Sequence, residues 1–262
     1  MHKDLAGRHA LVCGGSEGIG LAAATALAER GADVTVLARR PGRLSEVAAG
    51  LPRVHESQRH GFVTADAGDT AGLAAQVAAL CGSRPVQVLL NNTAGPPGGP
   101  AHAADPQAYL DVFRQHLVAG QVLVQAVLPG MKAAGWGRIV NVISTSVKEP
   151  IANLGVSNTV RGAVASWAKT LATELGPFGI TVNNVLPGYT RTQRLDQILA
   201  ERARATGKSE EDIARGMLAT VPAGRFAEPA EVAAAIAFLA SPAAAYVNGI
   251  NLPVDGGRTK SL

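Results

Sequence analysis

ALVCGGSEGIGLAAATALAERGADVTVLARR, residues 10–40, is the stretch that decides the fold of this chain. It is apolar up to Cys13, then rich in glycine, then rich in alanine and leucine at helical spacing, and apolar again before Arg39 and Arg40. This order predicts a strand, a tight turn, a helix and a second, parallel strand. Together they form a complete β-α-β unit, which predicts an α/β fold.

The turn inside this unit predicts a phosphate-binding site. Its glycines let the backbone turn tightly and approach a pyrophosphate, whose negative charge is favoured at a helix N-terminus. The same spacing alone is a weak signal, because glycines also serve close packing, but here it follows a strand and opens a helix. We predict a dinucleotide site formed by Gly14, Ser16, Gly18, Ile19 and Gly20.

The end of the second strand predicts which dinucleotide binds. A carboxylate at that position hydrogen-bonds both ribose hydroxyls of NAD. Here Ala38 is followed by Arg39 and Arg40, and a cation there pairs with a 2′-phosphate. Glu17 disfavours NADP(H), because it places a negative charge beside the same phosphates. The balance favours NADP(H) over NAD(H), with Arg39 as the binding residue.

Short apolar runs alternate with longer helical patterns along the rest of the chain. Runs without strict polar alternation are typical of parallel strands that are covered on both faces. We therefore predict a single-domain fold over 1–262: a doubly wound, Rossmann-type parallel sheet with helices on both faces. The seven predicted strands are HALVCG (9–14), DVTVLA (33–38), GFVTA (61–65), VQVLLNN (86–92), GRIVNVIS (137–144), ITVNNVLP (180–187) and GINLPVDGG (249–257). The predicted helices include 18–30, 69–81, 105–134, 153–176 and 228–241.

Two segments depart from this alternation. GPPGGP (95–100) is predicted to be a loop, because its prolines and glycines exclude helix and ladder pairing. Residues 189–227 carry helical patterns without a strand, with charges of both signs. We expect them to cross the carboxyl edge of the sheet, where ligands bind in this architecture, as a substrate lid. A solvated insertion without function is the alternative.

Composition excludes several classes of function. Net charge is +4, only 17% of the 262 residues are charged, and no run of Lys and Arg exceeds two, so no nucleic-acid partner is expected. Cys13 and Cys81 lie in apolar stretches and the histidines lack ligand spacing, so we expect neither a disulfide nor a metal site. No uncharged apolar run reaches the roughly 18 residues of a membrane span. A cytoplasmic protein with a small-molecule substrate is expected.

Five motifs in order resemble the short-chain dehydrogenase/reductase family, and within it the 3-oxoacyl-acyl-carrier-protein reductase-like members. They are CGGSEGIG (13–20), TADAGD (64–69), NNTAG (91–95), PGYTRT (187–192) and VDGG (254–257). Cys13 replaces the family's threonine, and NNTAG has one residue more than the family's Asn-Asn-Ala-Gly. The resemblance implies a homodimer or homotetramer. It also implies further cofactor contacts: Asp66 at the adenine ring, Asn92 at the strand end, and Pro187, Gly188, Thr190 and Thr192 beside the nicotinamide amide.

The family's chemistry depends on an asparagine, a serine, a tyrosine and a lysine, and this chain keeps only the serine. RIVNVIS (138–144) places Ser144 at the serine that polarises the carbonyl. Twelve residues separate Ser144 from Ser157, which occupies the position of the proton-transferring tyrosine, and Arg161 occupies that of the lysine that lowers the tyrosine's pKa and holds the nicotinamide ribose. Counting back from QAVLP puts His116 at the asparagine that organises a proton-relay water.

Helical spacing places Ser157 and Arg161 away from the solvated face of their helix. Arg161 can hydrogen-bond ribose hydroxyls but cannot relay protons, because its pKa stays above about 12. Ser157 is a poor acid. We consider two other proton donors: His116, whose unperturbed pKa is about 6.5, and Tyr189 beside the nicotinamide. Lys148 can present an ammonium to an anionic substrate. Structural packing for His116 and Tyr189, and solvation for Lys148, are the alternatives.

These observations leave three functions open. The first is an NADP(H)-dependent oxidoreductase acting on a carbonyl/alcohol pair with a non-standard proton donor, which the complete cofactor motifs favour. The second is a non-redox enzyme, such as a lyase, dehydratase, isomerase or cyclase, with acid and base chemistry from His116 and Lys148. The third is a non-catalytic, cofactor-binding subunit that uses the helix over 153–176 for assembly.

Overall fold

Seven parallel strands form one sheet in the computed structural model, which describes residues 3–261. Their order across the sheet is β3-β2-β1-β4-β5-β6-β7, so the chain reverses its direction of travel between β1 and β4. In such a sheet the loops at the carboxyl ends of these two strands separate and leave a crevice for a ligand. The strands are β1 (His9–Cys13), β2 (Asp33–Ala38), β3 (Gly61–Thr64), β4 (Val88–Asn91), β5 (Gly137–Val142), β6 (Ile180–Pro187) and β7 (Asn251–Val254).

Helices cover both faces of the sheet, as predicted. One apolar layer joins the sheet to α1, α2 and α9, and a second joins it to α3, α5 and α6. β1 and β5 are buried along their whole length, which explains why neither strand alternates strictly between apolar and polar residues. The helices are α1 (Gly18–Glu29), α2 (Pro41–Gly50), α3 (Thr70–Ser83), α4 (Pro106–Phe113), α5 (Ala119–Ala133), α6 (Gly155–Leu175), α7 (Gln193–Thr206), α8 (Glu210–Leu218) and α9 (Pro229–Leu239).

Two local features correct the predictions from sequence. The predicted helix over 105–134 is not continuous, because a π-helical turn, Arg114–Val118, separates α4 from α5. Such wide turns occur mostly as single turns inside α-helices, and they are frequent at functional sites. This one contains His116. The loop over 95–100 was predicted to exclude ladder pairing, yet Gly99 forms an isolated parallel bridge with Leu154. The Gly99 amide donates to Asn153 O at 2.7 Å, and Gly99 O accepts from the Gly155 amide at 3.0 Å. This bridge attaches the loop to the start of α6.

Four asparagine side chains form a hydrogen-bonded row across the carboxyl half of the sheet. Asn91, Asn141, Asn184 and Asn251 lie on neighbouring strands at matching register positions. Each of the first three donates its side-chain amide to the oxygen of the next, at 2.8 Å in every case. The row fixes β4 to β7 relative to one another, and Asn91 and Asn141 also line the cavity described below.

Candidate cofactor and active site

A cavity of about 1260 Å³ lies at the carboxyl edge of the sheet, where the strand order predicts a ligand. Its wall runs from the glycine turn, past the ends of β4 and β5, to α6 and the segment over 189–227 that the sequence analysis predicts to be a lid. Most of the predicted site residues line it: Gly14, Ser16, Gly18, Ile19, Arg39, Asp66, Asn92, His116, Arg161, Pro187, Gly188, Tyr189, Thr190 and Thr192.

The glycine turn is shaped so that no side chain fits inside it. A Cβ on Gly14 would lie 2.6 Å from Asn92 Nδ2, and one on Gly20 only 2.0 Å from Gly14 O. Gly14 and Gly18 also have positive φ angles of 61° and 54°, which favour glycine. The resulting backbone cradle at the N-terminus of α1 fits a pyrophosphate. Gly20 itself packs behind the cradle and determines its shape.

Several arginines lie around the part of the cavity next to the carboxyl end of β2. The side chain of Arg40 pairs with Glu17 at 2.9 Å, so the carboxylate that opposed an NADP(H) site is already neutralised. Arg39 lines the cavity and forms no ion pair among residues 3–261. Arg43, which we did not predict, donates from Nε to Ser16 O at 3.3 Å and pairs with Glu46 at 3.1 Å, so it supports the turn from outside the cavity wall. The charge of Arg39 fits a 2′-phosphate.

The segment predicted to lie beside the nicotinamide folds against the glycine turn. The Gly188 amide donates to Val254 O at 2.9 Å, and a Cβ on Gly188 would lie 2.7 Å from the Asp255 Cα. A Cβ on Gly18 would lie 3.2 Å from the Cγ2 of Thr192. PGYTRT and CGGSEGIG therefore meet across the cavity, although about 170 residues separate them. Two motifs that are distant in sequence thus line one cavity.

Arg161 is buried on the inner face of α6. Its side chain is 8% exposed, donates from Nη1 to Val142 O at 2.8 Å, and lines the cavity. Burial lowers its pKa to about 10, which is below the value expected from its residue type, yet the guanidinium stays charged at neutral pH. The helical spacing predicted this inward orientation, and the structure confirms it.

His116 does not have the near-neutral pKa that made it a candidate acid. Its ring is 6% exposed, Nδ1 contacts the Thr93 hydroxyl, and Nε2 is buried without a partner among the described residues. Burial, together with the positive charge of Arg161, lowers the pKa of His116 to about 2. The ring is therefore neutral at physiological pH and carries no extra proton to give to a substrate.

This shift predicts a loss of stability in acid. An unfolded His116 binds a proton below about pH 6.5, whereas the folded ring does not until about pH 2, so stability falls as pH decreases through this window. We expect His116→Asn to reduce the pH dependence of the free energy of unfolding by about 1.4 kcal/mol per pH unit between pH 6 and 4. Urea unfolding at several pH values measures this slope.

His102→Asn is the matched control for the change from histidine to asparagine, because His102 is exposed on a short turn. His9, whose pKa burial lowers to about 4, contributes to the slope of every variant alike. Equal slopes for the wild type and His116→Asn would show that the folded ring does titrate.

Four predicted residues are absent from the cavity wall within the described chain: Gly20, Ser144, Lys148 and Ser157. Ser144 Oγ accepts from the Ser146 amide at 3.1 Å and caps a short 3₁₀ turn just after Val142 and Ile143, which do line the cavity. Ser157 is buried one helical turn before Arg161. Its side chain is short and does not form part of the cavity wall, which other residues of the same helix form.

Tyr189, the first residue of the predicted lid, lines the cavity and packs inside this segment. Its ring packs edge-to-face on Phe226 with centroids 6.2 Å apart, and the Arg258 guanidinium lies 4.8 Å from its centroid. Arg258 also donates to the Thr145 hydroxyl at 3.4 Å. The packing under the lid that we considered for Tyr189 is therefore present, while the residue still lines the cavity.

Arg194, on α7, connects the lid to the loop over 95–100. Its Nη2 donates to Pro96 O at 2.9 Å, and its guanidinium approaches Glu201 at 3.9 Å. Because that loop also pairs with the start of α6, three parts of the cavity wall are linked through hydrogen bonds. No pattern in the sequence predicts this contact.

Comparison with known proteins identifies the family. The family model described as enoyl-(acyl carrier protein) reductase matches residues 14–259. The chain belongs to the short-chain dehydrogenase/reductase family. It is 31% identical to the NADPH-dependent reductase BacG of Bacillus subtilis, covering 97% of this chain and 99% of that protein. It is 34% identical to a 3-oxoacyl-(acyl-carrier-protein) reductase of Vibrio cholerae, covering 97% and 98% of the two chains.

The fold prediction is confirmed by a solved structure. L-sorbose reductase from Gluconobacter frateurii, crystallised with NADPH and L-sorbose, superposes with a TM-score of 0.92 at 30% identity and covers 100% of both chains. The NADPH in the names of this structure and of the Bacillus reductase agrees with the preference for NADP(H) that Arg39 predicts.

Two absences within residues 3–261 bear on other classes of function. No helix in this range is long and apolar enough to cross a bilayer. Within the same range, no three His, Cys, Asp or Glu side chains cluster as a metal site requires. Cys13 and Cys81 are both free thiols.

Proposed function

We propose that this protein is an NADP(H)-dependent oxidoreductase that acts on a carbonyl/alcohol pair of a small molecule. The observation that carries the proposal is the cavity itself, which brings the glycine turn, Arg39, Asp66 and the 187–192 segment to one surface. A site that had lost its cofactor would have no reason to keep these distant motifs together. Redox relatives that match nearly the whole chain support the same conclusion.

The cofactor would be held by residues whose contacts are already described. The backbone of the turn from Gly14 to Gly20 takes the pyrophosphate, Arg39 the 2′-phosphate, and Asp66 the adenine. Arg161 offers its fork of donors to the nicotinamide ribose. When bound, NADPH supplies a hydride, which is two electrons with one proton. The protein's part is to orient the substrate, exclude water and deliver a proton.

Proton delivery must differ from the family's usual route. The neutral ring of His116 has no extra proton to release, and Ser157 lacks a phenol. We propose that Ser144 orients the carbonyl and that water, with Tyr189 on the opposite wall, handles the proton. The non-redox alternative relied on His116 as an acid or base at neutral pH, and its low pKa argues against that role. We further propose that the protein is a cytoplasmic homodimer or homotetramer. Each subunit is a single domain, within which residues 189–227 act as a substrate lid.

A calorimetric titration with NADPH and with NADH tests the cofactor assignment. We expect NADPH to bind more tightly, and Arg39→Ala to weaken NADPH about tenfold or more while leaving NADH almost unchanged, because a charge-assisted bond to phosphate contributes roughly 1.5–3 kcal/mol. Arg53→Ala is the matched control, since Arg53 is exposed, lies outside the cavity wall and forms no ion pair within the described residues. Absence of binding by either nucleotide would refute the redox function, whereas equal loss in both variants would refute only the role of Arg39.

A further inference from the structure

A second group of charged side chains lies at the amino edge of the sheet, at the other end of the strands from the cofactor cavity. The guanidinium carbons of Arg8 and Arg138 each lie 4.3 Å from the ring centroid of Trp136. Arg8 directly precedes β1, and Gly14 follows the opposite end of that strand, so roughly 20 Å of extended chain separates this group from the glycine turn. The group is therefore separate from the cavity described above.

The two arginines have no carboxylate partner. Arg138 is 2% exposed and donates to the neutral backbone carbonyls of Gly137 at 2.8 Å and Ser241 at 3.4 Å. Among residues 3–261, no carboxylate lies within salt-bridge distance of Arg8 or Arg138. Burial, and then the charge of Arg8, lowers the pKa of Arg138 to about 10, so Arg138 is still a cation at neutral pH. Two like charges thus share one indole ring, and a bound anion would offset the cost of this arrangement.

A buried hydroxyl beside Arg138 has no hydrogen-bond partner among the described residues. It is the Oγ1 of Thr181, a residue that is 6% exposed. Thr181 on β6 is the register partner of Arg138 on β5, so the two side chains leave the sheet on the same face. Trp136 packs against the apolar layer on that face. Because buried polar atoms are normally hydrogen-bonded, an unpaired hydroxyl next to a buried cation indicates a ligand that the chain itself does not supply.

We propose that the amino-edge cluster, formed by Arg8, Trp136, Arg138 and Thr181, binds a phosphate group, either as inorganic phosphate or as part of a phosphorylated small molecule. A phosphate group carries about 1.5 to 2 negative charges at pH 7 and several acceptor oxygens, which match two guanidinium forks and one hydroxyl donor. Contact with Trp136 restricts both guanidiniums in advance, which lowers the entropic cost of binding. Arg8 is half-buried, so the cluster is accessible from solvent. This site does not depend on the proposed redox function.

Tryptophan fluorescence tests the proposal, because Trp136 lies inside the cluster. The chain contains two tryptophans, so Trp167→Phe leaves Trp136 as the sole reporter. This parent variant is titrated with sodium phosphate at constant ionic strength, with and without NADP⁺. We expect a saturable change in the emission of Trp136 that is the same in both titrations, because the two sites are separate. Arg8→Met in the same parent should weaken phosphate binding about tenfold or more.

Arg53→Met is the matched control for the loss of one positive charge. Arg53 is exposed and forms no ion pair within the described part of the chain, so this variant should bind phosphate as the parent does. Thr181→Val should weaken phosphate binding without lowering the thermal stability of the phosphate-free protein, because it removes an unpaired buried hydroxyl. Absence of a saturable response, or equal phosphate affinity in Arg8→Met and its parent, would overturn the proposal.

Two further measurements identify the source of the phosphate and separate this inference from the proposed function. Calorimetry on the natural chain with NADP⁺ present repeats the comparison without the change at Trp167. Glycerol 3-phosphate is titrated beside inorganic phosphate: tighter binding of the ester would identify a phosphorylated metabolite as the ligand, and tighter binding of the inorganic ion would identify free phosphate. A phosphate response that NADP⁺ abolishes would place the anion at the glycine turn, which would overturn this inference and support the proposed cofactor site.

Discussion

NADPH binding is expected to weaken about a hundredfold or more, roughly 3 kcal/mol, when Gly20 is replaced by alanine. The added Cβ would lie 2.0 Å from Gly14 O, 2.7 Å from Gly14 C and 2.9 Å from Asn92 Nδ2. Two of these three atoms belong to the backbone, so no side chain can rotate away to make room. The turn must open instead, and the amides that form the cradle for the pyrophosphate lose their common orientation. The effect therefore falls on binding, although Gly20 does not line the cavity.

Calorimetric titration with NADPH measures the loss, and thermal unfolding of the apoprotein shows whether the variant still folds. Gly42→Ala is the matched control: Gly42 lies exposed in α2, a Cβ there would meet no atom within 4 Å, and helix propensity favours alanine. That control should bind NADPH normally and gain slightly in stability. Normal NADPH affinity in Gly20→Ala would mean that the turn does not hold the pyrophosphate.

The fold was predictable because the sequence patterns that indicate its strands and helices are local. The apolar runs of β1 and β5 are buried on both faces, and the predicted strands match the observed ones to within a few residues at each end. α2 was not predicted, although Pro41 at its first turn is a usual helix-starting residue. The π-helical turn at 114–118 could not be predicted, because apolar spacing does not distinguish a wide turn from a regular one.

The cofactor site was predictable for a different reason. A phosphate cradle requires glycine at fixed positions, and that requirement is visible in the sequence as CGGSEGIG. Contacts made by long side chains do not require a fixed sequence pattern of this kind. The bonds from Arg43 to the turn and from Arg194 to Pro96 depend on how α2 and α7 pack, which spacing along the chain does not reveal.

His116 shows most clearly which properties of a site residue the sequence alone does not predict. Its place in the site followed from the family resemblance, but its pKa depends on burial and on the nearby guanidinium of Arg161. Both arise only when the π-helical turn packs beside α6. A residue type therefore predicts a possible chemistry, whereas the folded environment decides whether that chemistry is available at neutral pH.

Ketone reduction is expected to increase about 10²- to 10⁴-fold in the double variant Ser157→Tyr with Arg161→Lys, the range that a positioned general acid contributes. Ser157 and Arg161 are one turn apart on the inner face of α6, so a tyrosine and a lysine there face the cavity together. The lysine ammonium lowers the pKa of the phenol, and the phenol protonates the alkoxide oxygen. The initial rate of NADPH oxidation with a cyclic ketone measures the gain.

The variant Ser157→Phe with Arg161→Lys provides the control, because it adds the same ring without a hydroxyl. An equal gain in that control would attribute the effect to packing, and no gain in the tyrosine variant despite normal NADPH binding would show that proton delivery does not limit the reaction.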